Sequence, residues 1–228
     1  MGKECGEEEL GTADAYLLPD DKRLLLEYYK NNIIHHFLPI SFLAAAILEY
    51  PENDVPIDVA RGNYIFLVNI FSFEFLLGND QGGGFDDART YLEQSGVLKK
   101  AAGYESWKLD EITCKKLRPF SGLVESCLLS YLTVFKACIA LKEKLQSGKS
   151  RLTDVRQWAE KMYAMGEIGR GESLSGGTYA NALKFLEQEG MIASKETQRE
   201  ENGRQNSAIL DEGRLEVAAR ELSRFLRI

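Results

Sequence analysis

The two histidines of the chain stand side by side at His35 and His36, directly after the segment YYKNNII. Imidazole is the side chain that most readily gains or loses a proton near neutral pH, so the pair is a candidate proton donor or shuttle. The positions three and four residues away on either side hold only asparagine, isoleucine, leucine and proline. A carboxylate that orients either histidine would therefore have to come from another part of the fold.

A helix through this segment gathers its uncharged polar groups on one side. At about 100° per residue, one face carries Tyr28, Asn31, Asn32 and His35, which we call the polar stripe, and the opposite face carries Leu26, Ile33 and Phe37. Solvated faces are rich in Lys and Glu, so the stripe is typical of a semi-buried seam whose amides and phenols need partners. The candidate binding residues are Tyr28, Tyr29, Asn31, Asn32, His35 and His36. The stripe either faces a substrate or second domain, or it satisfies backbone groups of a neighbouring element while the histidines pack nearby.

The composition of the chain argues against several classes of function. The 228-residue chain has a formal net charge of -7 and four cysteines without a CxxC pair. The acidic balance argues against a broad phosphate-binding surface, so nucleic acid is not an expected partner. Two adjacent histidines and scattered cysteines do not make a zinc site, and we expect no metal and no cofactor. The sequence contains no nucleophile elbow, Walker loop, dinucleotide fingerprint or HExxH.

Hydrophobic periodicity predicts a mainly α chain in which helices position the stripe. The first helix runs to Ile34, and Pro39 breaks it from a second helix at 41–50, because proline cannot donate to the preceding turn. The segment 50–56 is predicted as a loop and 57–77 as a buried helix. Pro119 is predicted at the start of the longest helix, and further helices are expected at 86–94, 154–165, 179–189 and 214–227. No apolar run reaches the 18 residues typical of a membrane span.

An internal echo divides the chain. ARTYLEQSGVLKK, from Ala88, resembles ALKFLEQEGMIAS, from Ala182, and each is followed by a polar turn and an apolar strand ending in an acidic pair. A helix pair followed by such a hairpin outlines a winged-helix-like unit. The prediction is a helical domain with two small β-hairpins. It has an acidic tail over 1–19, a subdomain over 20–148 with the YYKNNIIHH segment and the first unit, and a second winged-helix-like subdomain over 149–228.

A tandem winged-helix adaptor or nucleic-acid-binding regulator is the alternative function that this echo suggests. The helix TYANALKFLEQEG carries one Lys and two Glu. A helix that enters a phosphate-lined groove needs the opposite charge. Packing against protein is therefore the favoured use of these units.

Four segments, taken in order, carry a family resemblance. Tyr28 to His35 resembles the YYRNN-[IV]-x-H strip of membrane-associated, acyl-CoA-dependent glycerol-3-phosphate acyltransferases, in their C-terminal region. FDDARTYLEQSGVL, LRPFSGLVESCLLSYLTVF and GESLSGGTYANALKFLEQEGMI resemble later segments of the same region, and the likeness covers about residues 15 to 228. The resemblance implies transfer of a fatty acyl group from acyl-CoA or acyl-carrier protein to glycerol 3-phosphate, which gives lysophosphatidate for phospholipid synthesis.

One departure from the family decides what this chain can do alone. Family chemistry depends on an HxxxxD motif, but Ile40 and Ser41 stand where His35 and His36 would need aspartate. The resemblance therefore implies a domain without catalytic residues that packs on a separate catalytic half, in the same chain or another, and meets acyl-CoA or acyl-carrier protein only through it. The expected location is peripheral, on the cytoplasmic side of a membrane, with the membrane surface as a further candidate partner. The chain alone is expected to be soluble and inactive; an independent small enzyme using either histidine is the third reading.

Overall fold

The computed structural model describes residues 20–50, 54–75, 83–101, 105–142, 145, 149–193 and 209–226, and these ranges are mainly helical, as predicted. Their α-helices are α1 Asp20–Ile33, α2 Leu38–Leu48, α3 Ile57–Ile70, α4 Gly83–Gln94, α5 Glu111–Gly122, α6 Glu125–Ala140, α7 Lys149–Ala164, α8 Gly176–Gln188 and α9 Glu212–Arg224. Short 3-10 helices cover Ile34–His36 and Gly171–Ser173, and the strands are β1 Asp54–Pro56, β2 Lys99–Lys100 and β3 Ser106–Lys108. The predicted acidic tail over 1–19 lies outside the described residues.

The chain turns a corner directly after the polar stripe. The 3-10 helix Ile34–His36 joins α1 to α2, and Pro39 lies in the first turn of α2, where its missing N–H breaks no helical hydrogen bond. The helical stretch Tyr28–His36 meets α2 at 92°. The predicted break between the two helices is therefore confirmed, although it lies at residues 34–37, before Pro39, and the second helix begins at Leu38 rather than at residue 41.

Membrane-spanning length is reached only by bent pairs of helices. No single helix in the described ranges is long and apolar enough to cross a membrane. Tyr28–His36 with Leu38–Leu48, and Glu111–Gly122 with Glu125–Ala140, reach that length and hydropathy only as pairs, and the second pair bends by 65°.

Helix α2 is the centre of the first half of the fold. It is buried from Ser41 to Ile47 and packs against α3, α4 and α5. The sheet has the order β1-β3-β2 with antiparallel neighbours, so the predicted first hairpin, formed by β2 and β3, is confirmed. The loop predicted over 50–56 is wrong in its second part, because Val55 pairs with Trp107 and both side chains are fully buried. The order of helix, strand, two helices and hairpin is compatible with a winged-helix-like unit.

Helix α6 takes the same central place in the second half. It is buried along most of its length and packs against α7, α8 and α9. After α8, an antiparallel bridge joins Ile192 to Ile209, and the predicted turn between them lies outside the described residues. The predicted division of the chain between residues 148 and 149 stays a prediction.

The two LEQ-x-G segments end their helices in the same way. Gly96 and Gly190 have φ angles of 67° and 66°, the left-handed region that glycine enters without a Cβ clash. The N–H after each glycine donates to the leucine carbonyl five residues earlier, at 3.0 Å and 2.9 Å. This is the hydrogen bond of a Schellman C-cap. The echo read from the sequence therefore extends to the backbone.

The acidic pairs that follow β3 and the Ile192–Ile209 bridge begin the next helices. Asp110 Oδ1 accepts a hydrogen bond from the N–H of Thr113 at 2.7 Å, and Asp211 Oδ1 accepts one from Arg214 at 2.9 Å. Each aspartate is thus an N-cap that satisfies a free donor of the first turn. Because Asp110 starts α5 at Glu111, the prediction that Pro119 starts the longest helix is wrong.

Other helix bounds differ from the prediction as well, and helices α4, α7, α8 and α9 begin two to five residues earlier than predicted. Pro119 lies inside α5, which ends three residues later at Gly122, and α6 begins at Glu125 in a new direction. Helix α3 ends at Ile70 rather than continuing to residue 77, and turns lead from it to Phe75. Residues 76 and 77 lie outside the described part of the chain.

A charged cluster ties the last helix to the first half. The Glu49 side chain, which is 3% exposed, accepts hydrogen bonds from the Arg224 guanidinium and from Asn63 Nδ2, the latter at 2.7 Å. Beside it, the rings of Phe66 and Phe225 stack with centroids 5.7 Å apart. The two halves are therefore joined by one ion pair and one aromatic pair at this point.

Candidate functional site

The polar stripe is exposed along α1. All six candidate residues are exposed: Tyr28, Tyr29, Asn31, Asn32, His35 and His36. Tyr28 and Tyr29 are 64% and 58% exposed and contact each other edge-to-face, with centroids 5.8 Å apart. Large exposed aromatic groups beside amides are typical of surfaces that another molecule covers.

The opposite, apolar side of α1 is exposed as well. Leu26, Ile33 and Phe37 are 47%, 54% and 39% exposed. The corner after Ile33 directs α1 away from α2, so the described core covers neither side of the helix. Near its C-terminal end, α1 is held by the Lys30 ammonium, which donates to the carbonyl of Leu123 at 2.8 Å.

The adjacent histidines lie against each other rather than against an acid. The ring centroids of His35 and His36 are 3.8 Å apart, with the planes inclined at 45°. Within the described residues, neither imidazole has a hydrogen-bond partner or an ion-pair partner. A histidine that acts as a general base needs a group that fixes its orientation. The described residues therefore provide no group that fixes the orientation of either histidine.

A pocket of about 530 Å³ opens beside the corner. It is lined by Asn31, Ile34 and His35 from the corner, Glu74 and Phe75 after α3, Ser126, Cys127 and Ser130 from α6, and Glu172, Ser175 and Thr178 around the start of α8. Two of the six sequence-predicted residues, Asn31 and His35, thus meet here. Tyr28, Tyr29, Asn32 and His36 are not among the residues that line it.

Glu74 supplies a fixed carboxylate in the pocket wall. Its Oε1 accepts a hydrogen bond from Thr178 Oγ1 at 2.9 Å, and its Oε2 accepts one from Asn181 Nδ2 at 2.9 Å. Both donors lie on α8 and both are neutral. Among the described residues, no Lys or Arg pairs with Glu74, so its negative charge is not neutralised locally.

Serine side chains of α6 also line the pocket. The single proton of Ser130 Oγ is shared between the carbonyls of Ser126 at 2.8 Å and Ser173 at 2.7 Å. Next to it, the Tyr131 ring is fully buried, and its hydroxyl has no hydrogen-bond partner among the described residues. Burial, then the charges of Glu74 and Cys127, raise the pKa of Tyr131 far above its usual value. Tyr131 is therefore a neutral phenol near neutral pH.

The two cysteines of α6 are buried. Cys127 and Cys138 are free thiols on one helix, eleven residues apart. Burial raises the pKa of Cys138 to about 12, and the nearby Arg151 opposes that rise. Cys127 lines the pocket, whereas no group of three His, Cys, Asp or Glu in the described ranges could hold a metal ion.

Glu74 is not among the residues that the sequence predicts for the site. It lies in an apolar run, FSFEFLL, within the segment predicted as a buried helix. A single acid within such a run was the available signal, because a carboxylate among buried residues needs a dedicated set of donors. The position of those donors on α8, more than a hundred residues later, could not be read from local pattern.

A comparison with known families decides what this arrangement belongs to. A sequence profile of the glycerol-3-phosphate acyltransferase C-terminal region matches residues 3–195. The chain belongs to this family. The glycerol-3-phosphate acyltransferase match includes the polar stripe and every residue that lines the pocket, and it ends before α9. The family expected from the sequence is confirmed, and a search of curated proteins gave no match.

Proposed function

We propose that this chain is a non-catalytic C-terminal domain of a glycerol-3-phosphate O-acyltransferase that packs on, and supports, a separate catalytic domain. The whole enzyme would transfer an acyl group from acyl-CoA or acyl-carrier protein to glycerol 3-phosphate. The chain would take part by holding the catalytic domain, with α1 as the contact. Its substrates would be met only through that domain.

One observation carries the proposal: α1 is exposed on both its polar and its apolar side. Uncharged amides, phenols and leucines on one exposed helix are a costly arrangement in water unless another surface covers them. The absence of an HxxxxD motif from the sequence supports a supporting role rather than a chemical one. The family match supports a glycerol-3-phosphate acyltransferase as the enzyme concerned.

Reconstitution with the catalytic half of a family enzyme tests the proposal. The full chain and the catalytic half are mixed, and their association is measured by calorimetry alongside acyl transfer to glycerol 3-phosphate. We expect the chain alone to give no transfer, and the mixture to associate and to transfer acyl groups faster or for longer than the catalytic half alone. Asn31→Ala with Asn32→Ala should weaken the association.

A matched control separates the stripe from general effects of losing amides. Gln157→Ala with Gln188→Ala removes two exposed amides from α7 and α8 and should leave association unchanged. If the asparagine double variant associates and supports transfer like wild type, the stripe is not the contact. Acyl transfer by the chain alone would contradict the non-catalytic role, and binding to lipid vesicles in place of the catalytic half would assign α1 to the membrane.

A further inference from the structure

The pocket beside the corner contains one carboxylate without a described cationic partner. Glu74 lines the pocket, and among the described residues no lysine or arginine pairs with it or belongs to the lining. Lys30 donates from its ammonium to the carbonyl of Leu123 at 2.8 Å and to Ser126 Oγ at 3.2 Å. The charge of Glu74 therefore favours a cationic guest beside it over an anionic one.

The Glu74 carboxylate is held in place before any guest arrives. Thr178 and Asn181, both on α8, each donate to a different oxygen of it. A carboxylate has about four lone-pair positions, so these two neutral bonds leave room for a further donor. A fixed acceptor of this kind binds a charged donor without the entropic cost of ordering its own side chain.

A second, independent observation lies behind the pocket wall. The Tyr131 hydroxyl is completely buried and has no partner among the described residues. The two groups whose charges act on it, Glu74 and Cys127, both line the pocket. Buried hydroxyls without a partner are uncommon in native proteins, and this one keeps an unused donor beside Cys127 and Ser130, which line the pocket.

The lining of the pocket is continuous with the polar stripe. Asn31 and His35 belong to both, and both are exposed. A molecule that covers the stripe therefore contacts residues of the pocket lining, and a side chain from it can reach the pocket. We propose that the pocket receives a basic side chain, arginine or lysine, from the catalytic half, with Glu74 as its carboxylate partner. This inference rests on the proposed function and names the chemistry of its partner.

Calorimetry with the catalytic half tests the inference. In Glu74→Gln the charge is lost, while the amide oxygen still accepts from Thr178, so we expect a folded chain with circular dichroism like wild type. Its affinity for the catalytic half should fall at least about tenfold, the effect of removing one member of a buried charge pair. Glu216→Gln removes the same charge from an exposed position on α9 and should change the affinity less than about twofold.

A small-molecule probe tests the pocket inference separately from the proposed function. N-acetylarginine amide added to the full chain should shift the amide NMR signals of Ser130 and Thr178, and the uncharged citrulline analogue should not. The shifts should disappear in Glu74→Gln. If Glu74→Gln binds the catalytic half like Glu216→Gln, or if the arginine probe leaves both signals unchanged, the pocket inference is wrong. If the probe binds but the catalytic half does not, the proposed function is wrong, and so is the inference that the basic side chain comes from the catalytic half.

Discussion

Replacing Gly84 with alanine tests how closely α4 approaches the corner that follows the polar stripe. A Cβ at this position would lie 2.5 Å from Tyr64 Oη and 3.0 Å from the Cβ and Cγ of Pro39. The Tyr64 ring has little room to move, because it is 2% exposed and contacts Phe42 and Phe85 edge-to-face. The added methyl group therefore displaces either the tyrosine or the first turn of α2.

The size of the effect follows from two opposing terms. Overpacking a buried contact costs about 1–3 kcal/mol. Alanine in a helix gains up to about 1 kcal/mol over glycine, and less in a first turn such as that of Gly84. We therefore expect Gly84→Ala to lower the free energy of unfolding by about 1–2 kcal/mol.

Gly62, in α3, is the matched control. A Cβ at Gly62 would meet nothing within 4 Å, so Gly62→Ala should raise the free energy of unfolding by about 0.5–1 kcal/mol. Urea unfolding followed by circular dichroism gives both values from the midpoint and slope. A Gly84→Ala variant at least as stable as wild type would refute the close approach of α4 to Pro39 and Tyr64.

Three further predictions concern an ion pair, two helix C-caps and a buried tyrosine. Arg224→Met leaves the Glu49 carboxylate buried without its cation, and we expect a loss of about 2 kcal/mol, between the values for surface and buried pairs because Arg224 is 39% exposed. Gly96→Ala and Gly190→Ala should each cost about 1–2 kcal/mol, and by similar amounts, since both impose a left-handed conformation on alanine. Burial and the charge of Asp87 raise the pKa of Tyr64 to about 12. Burial of the neutral Tyr64 phenol therefore contributes fully to the free energy of unfolding below about pH 10, the pKa of an unfolded tyrosine. This contribution is lost as the pH rises through about 12.

Each of these changes has a measurement that can contradict it. For the ion pair, a double-mutant cycle with Glu49→Gln should show a coupling energy of about 1 kcal/mol or more. Additive losses would show that the two side chains do not stabilise each other. For the glycines, an unchanged urea midpoint in either variant contradicts the shared C-cap. For the tyrosine, Tyr64→Phe should flatten the decline of unfolding free energy above about pH 10, and an identical decline would show that Tyr64 does not cause it.

Much of the fold was predictable because its signals are local. Pro39 marks the corner since proline removes a donor and fixes φ wherever it stands. The repeated LEQ-x-G segments predict two similar helix ends because only glycine enters the left-handed region freely. The apolar sequences of α2 and α6 predict central, buried helices, and both are.

What the sequence did not show depends on partners distant in the chain. The sequence predicts Asp110 at the end of a strand, whereas the structure shows it capping α5, because an acidic pair occurs in both places and only the three-dimensional neighbours distinguish them. Strand β1 is too short to show an alternating pattern in the sequence, and it forms because Val55 pairs with Trp107. The pocket joins residues from four separated segments, so Glu74 could not be related to Thr178 by spacing.

The corner at Leu38 also makes α1 a lever. Fourteen residues at 1.5 Å each give an arm about 21 Å long, set almost perpendicular to the helix that anchors it. A rotation of about 10° at the corner moves the far end of that arm by about 4 Å, which is about three-quarters of the rise of one helical turn. A small adjustment at the corner is therefore amplified into a displacement of several ångströms at the exposed surface of α1.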